Sequence, residues 1–145
     1  MNELGRPLEF HCTTPVRPSR AQEILYGATL PAFLLGEYIG RTLIEKAKAK
    51  LSVLLTERTE LLEVRRWIET PAACVLPAET PVEESPLHFA FAGYSFVAAE
   101  ADAGRIDSLR TSLSGGAGID WCEPFERIHE AIGEAQRGAR QAPAA

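Results

Sequence analysis

From Pro31 to Thr70 no further proline interrupts the chain, and this stretch constrains the fold more than any other. Pro31 suits a first helical turn, where its missing N–H costs nothing. Beyond it Leu34, Tyr38, Leu43, Ile44, Ala47, Leu51, Leu54, Leu55, Leu61, Leu62, Val64 and Ile68 recur mostly at helical spacing, with charged residues between them. The pattern predicts a long amphipathic helical region, either one rod or two helices broken near Gly40 or Ser52. A single rod would extend about 60 Å at 1.5 Å per residue, further than one small domain covers. Its surplus apolar surface calls for a second copy of the chain, with Leu51, Leu54 and Leu61 as the expected dimer contacts.

The remaining segments are shorter. Leu8, Phe10 and Cys12 alternate with Glu9, His11 and Thr13, a period of two that predicts a strand ended by Pro15 and Pro18. Ser19 and Gln22 form a capping box that should start a short helix, stopped at Gly27. A short strand is expected at Cys74–Leu76. Leu87–Ala99 reads as strand throughout, with aromatic parity switching at Ala92-Gly93. Since Ala-Gly is a poor hairpin turn, a bulge is expected there in preference to a hairpin. Ala101–Leu113 reads as a helix with Ile106, Leu109 and Leu113 inward, and another helix follows Pro124. Together these give an α+β fold, with a mostly antiparallel sheet of about three strands packed on several helices. At 145 residues the chain suits one domain, expected over 1–137, with a disordered tail over 138–145.

Charge and cysteine usage narrow the function classes. A formal net charge of −5 disfavours tracking of nucleic-acid phosphates, which draws its affinity from clustered Lys and Arg. Cys12, Cys74 and Cys122 are odd in number and far apart, so neither a disulfide framework nor a metal spacing is expected. The longest uncharged stretch, Ile24–Gly36, is too short to span a bilayer. With no targeting pattern in Met1–Pro7, the expected compartment is the cytoplasm.

Several clusters invite chemistry. In Asp120-Trp-Cys-Glu-Pro, Cys122 lies just before a helix whose positive end favours a thiolate, and His129 follows on that helix. The simpler reading is that Asp120 or Glu123 caps the helix, Trp121 staples it to the core and Cys122 fills space. His11 and His88 form a second candidate, converging if their strands are neighbours. Ser112–Gly118 lacks the Gly-Lys-Ser/Thr ending of a P-loop and the order of a dinucleotide loop, and reads as a link. Gly36 and Gly40, four apart, suggest close helix packing or a kink. No cofactor motif appears, so none is expected.

These features favour a non-enzymatic interaction, regulatory or inhibitor protein, homodimeric and acting through an acidic surface on a larger protein partner. Glu79, Glu83 and Glu84, set among Pro77, Pro81 and Pro86, are the expected partner contacts. The alternatives are a small enzyme using a cysteine with a histidine, or a ligand sensor whose pocket is lined by Phe89, Phe91, Tyr94 and Phe96.

Overall fold

The computed structural model describes residues 1–77, 80 and 84–141, of which 139–141 are described as backbone only. Along the chain come α1 (Arg20–Tyr26), a π-helix (Ala32–Gly40) that runs on into α2 (Arg41–Lys46), β1 (Leu54–Thr56) and a 3-10 segment (Thr59–Arg66). Then follow β2 (Ala72–Leu76), β3 (His88–Phe91), β4 (Tyr94–Ala98), a 3-10 segment (Glu100–Arg105), α3 (Ile106–Leu113) and α4 (Glu123–Gln141). Among the described residues this is an α+β arrangement of five helices, four α and one π, on a four-stranded mixed sheet ordered β1-β2-β4-β3.

β2 sits inside that order, parallel to β1 and antiparallel to β4, and its residues 72–75 are all buried. A central strand covered on both faces needs small or apolar residues on both parities, and Ala-Ala-Cys-Val supplies them. Ala73 and Val75 join Phe89, Phe96 and Ala98 beneath Leu109 and Leu113 of α3 and Trp121. Phe89 stacks on its cross-strand partner Phe96 at 5.2 Å, and Trp121 meets Phe96 edge-on at 6.4 Å. Such pairs add about 0.5–1.5 kcal/mol each beyond the area they bury.

Three expectations need correction. The Pro31–Thr70 region is not one rod: the π-helix and α2 end at Lys46, and Leu54–Thr56 forms a strand before the 3-10 segment begins. Helix ends at Lys46, where the backbone of Ala47 turns extended, and beyond it stand β1 and the 3-10 segment in place of a second long helix. The apolar run Leu51–Leu55 fits a half-covered strand as well as a helix, and pairing of Leu54 and Leu55 with Ala72 and Ala73 decides it. Leu51, Leu54 and Leu61 therefore share no helical stripe.

Secondly, Leu8–Cys12 joins no ladder, and Leu8 and Phe10 are exposed. Thirdly, Ala92-Gly93 is a two-residue hairpin loop, with φ +49° at Ala92 and +85° at Gly93. Positive φ at both positions matches the right-handed strand twist, and it aligns Phe91 with Tyr94 and Phe89 with Phe96 on one face. The hairpin thus achieves what a bulge was expected to do. At the other end, α4 continues past Gly138 to Gln141, beyond the expected end of the domain.

Candidate functional site

Two concave regions carry the candidate residues. The smaller is a cleft of about 250 Å³ lined by Glu57, Val75, Pro77, Cys122, Phe125, Glu126 and His129. Cys122 lies just ahead of α4 and His129 two turns into it, and both line this cleft. Glu57 reaches them from the turn after β1, and its Oε1 lies 2.7 Å from His129 Nε2. A histidine oriented by a carboxylate is the arrangement of a general base. Its intended nucleophile works against that role. Burial pushes the Cys122 thiol up, and the nearby carboxylates of Asp120 and Glu126 push it further, so no thiolate is favoured at neutral pH. The His129–Glu57 pair itself is open to solvent.

Asp120 stands two residues ahead of the cap position, Cys122, and its Oδ1 accepts from the amides of Cys122 (2.9 Å) and Glu123 (3.3 Å) at the helix start. Those amides hold its carboxyl below the usual aspartate range, the Cys122 amide most strongly. Trp121 is buried against Phe96, and Gly116 leaves room for its ring.

His11 and His88 are not brought together. His88 stands in edge strand β3, opposite Val97, with its Nδ1 buried and without a hydrogen-bond partner among the described residues. His11 belongs to no strand and bonds Glu9 at 2.8 Å, while Glu9 also accepts from the amides of Lys48 (3.0 Å) and Ala49, just ahead of β1 at the opposite edge. Among the described residues no three His, Cys, Asp or Glu side chains gather in a way that would hold a metal ion. Of the hairpin aromatics, Phe89 and Phe96 are core, with Phe91 and Tyr94 packed against it. Glu84 is exposed, whereas Glu79 and Glu83 lie outside the described residues.

The larger region is a cleft of about 710 Å³ walled by Met1–Leu4 and Leu8, by Ala49–Leu55, and by Trp121, Pro124, Phe125 and Ile128. Its lining is mainly apolar, and Leu4, Leu8 and Ile128 stand exposed on it. Leu51 and Leu54 belong to it, so two expected dimer residues line a cleft instead of a helix face.

What the sequence reading missed lies in α1. None of its residues is buried; Ile24 is 66% and Leu25 81% exposed, and Tyr26 is exposed as well. The signal was present, because Ile-Leu-Tyr places three large apolar residues side by side on a seven-residue helix. Compared with protein-family models, curated proteins and solved structures, the chain shows no significant match. No helix among the described residues is long and apolar enough to cross a membrane.

Proposed function

We propose that this is an interaction protein that acts by contact and not by chemistry, with a homodimer as its working form. The observation that carries this is α1, whose Ile24 and Leu25 point away from their own chain. Single exposed apolar residues are ordinary, but here Leu8, Phe10, Ile24, Leu25, Tyr26 and Tyr38 are all exposed within one N-terminal segment. The raised Cys122 thiol favours this reading over a cysteine enzyme. Binding without turnover is what a regulator or inhibitor of a larger protein does, and a net charge of −5 favours a basic face on such a partner.

Sedimentation velocity over a concentration series tests the reading. The wild type should reach twice the chain mass, and the double variant Ile24→Glu, Leu25→Glu should stay monomeric while still melting in one cooperative step, at a temperature that no longer depends on concentration. A wild type that remains monomeric at the highest concentration overturns it.

A further inference from the structure

The chain has three lysines, and all of them stand within five residues, at Lys46, Lys48 and Lys50. α2 ends at Lys46, and the chain runs on toward β1 with Ala47 extended. Along this stretch the lysines are exposed, while Ala47 and Ala49 between them are half-buried. None of the three takes part in an ion pair among the described residues. Glu45, beside them in sequence, pairs with Arg41 instead at 2.7 Å. Exposed apolar residues border this cationic ledge. The Glu9 carboxylate accepts from the amides of Lys48 (3.0 Å) and Ala49, which brings Leu8 and Phe10, on either side of Glu9, next to the lysines. Both are exposed, and Leu8 shares a wall of the larger cleft with Lys50.

We infer that this ledge docks on an anionic membrane surface, with the lysines against the lipid headgroups and Leu8 and Phe10 in the apolar boundary beneath them. A basic patch joined to apolar side chains supplies the two signals that attachment to a lipid surface needs. The net charge of −5 does not decide the matter, because at about 0.1 M salt charges further than about 10 Å away are largely screened. Lysine ammonium groups are compact point charges, suited to a diffuse anionic surface more than to the bidentate contacts that arginine makes. A lipid surface also takes up Leu8, which a phosphate backbone does not. The inference goes beyond the homodimer reading and stands independently of it.

Flotation with lipid vesicles tests the docking. At low salt the wild type should float with mixed phosphatidylcholine–phosphatidylserine vesicles but not with phosphatidylcholine alone, and high salt should release it. Lys46→Gln, Lys48→Gln, Lys50→Gln together should lower partitioning about a hundredfold, at about fivefold for each lysine near such a surface. Leu8→Ser with Phe10→Ser should weaken binding at low salt as well. Two controls separate the ledge from the net charge. Changing the same three lysines to arginine should preserve binding. So should Arg66→Gln, Arg110→Gln, Arg137→Gln, which removes equal charge from exposed ion pairs elsewhere in the sequence. Every substituted residue is exposed, so the thermal melts should match the wild type. A wild type that ignores the anionic vesicles at low salt overturns the proposal. So does an arginine-removal variant that loses binding as fully as the lysine variant, or an oligonucleotide or polyglutamate bound in preference to the vesicles.

Discussion

Arg65 grips Asp102 through two hydrogen bonds, Nε to Oδ2 at 2.9 Å and Nη2 to Oδ1 at 3.0 Å, with the carboxylate fully buried. The same Oδ2 accepts from the amide of Ala72 at 3.0 Å, the first residue of β2. One carboxylate therefore ties the 3-10 segment ahead of β2, β2 itself and the turn after β4. Asp102→Ala should cost about 3–5 kcal/mol, because it leaves a largely buried guanidinium unpaired. Urea denaturation should show a lower midpoint with an unchanged slope. A loss below about 1 kcal/mol, the range of surface pairs, would contradict this role.

Gly36 faces the 3-10 segment so closely that a Cβ there would stand 2.6 Å from Glu63 Cβ and 3.2 Å from Glu60 O. Alanine normally gains nearly 1 kcal/mol over glycine within a helix. Here overpacking should outweigh that gain, and Gly36→Ala should destabilise by about 1–3 kcal/mol. A higher melting temperature for Gly36→Ala would show that the contact yields.

How much of this was legible depends on the range of the interaction. The Ser19–Gln22 capping box and the inward Leu109 and Leu113 follow from local spacing, and the structure has them. Gly36 and Gly40 signalled close packing correctly, since both are buried against Glu60, Glu63 and Val64. The Leu51–Leu55 run carried no such information, for an apolar run is equally a strand or a helix until its partner is known. The hairpin stayed hidden because Ala92 adopts a positive φ that alanine seldom takes. Cys122 just before α4 and His129 on it were near neighbours in sequence, and both line the smaller cleft. Glu57, 72 residues from His129, and Asp102, 37 from Arg65, have no local signature.

Glu9 should titrate at about 2 instead of its ordinary 4.5, held down chiefly by the His11 hydrogen bond and next by the Lys48 amide. The folded chain then takes up this proton less readily than the unfolded chain. The latch to Lys48 and Ala49 is complete above 4.5 and lost as pH falls toward about 2. Amide shifts of Lys48 and Ala49 followed by NMR should titrate with the lower midpoint and lose that step in Glu9→Gln. A midpoint at the ordinary value would mean that the latch does not form.

Thiol reactivity separates the three cysteines. Cys12 is exposed, Cys122 half-buried and Cys74 buried, with burial pushing the last two thiols up. A disulfide reagent at neutral pH should find one fast thiol in the folded chain, and Cys12→Ser should remove it. A fast thiol that survives Cys12→Ser and disappears in Cys122→Ser would return the His129–Glu57 cleft to candidacy as an active site.

We propose that another chain covers α1 in solution. A seven-residue helix has little stability of its own, so its amides should exchange rapidly whenever its apolar side is bare. Hydrogen exchange of the α1 amides, followed from dilute to concentrated protein, measures that cover directly. Protection should rise with concentration, in step with the dimer fraction, and stay absent in Ile24→Glu, Leu25→Glu. Rapid exchange at every concentration, in a chain whose β2 and β4 amides are protected, would contradict the account.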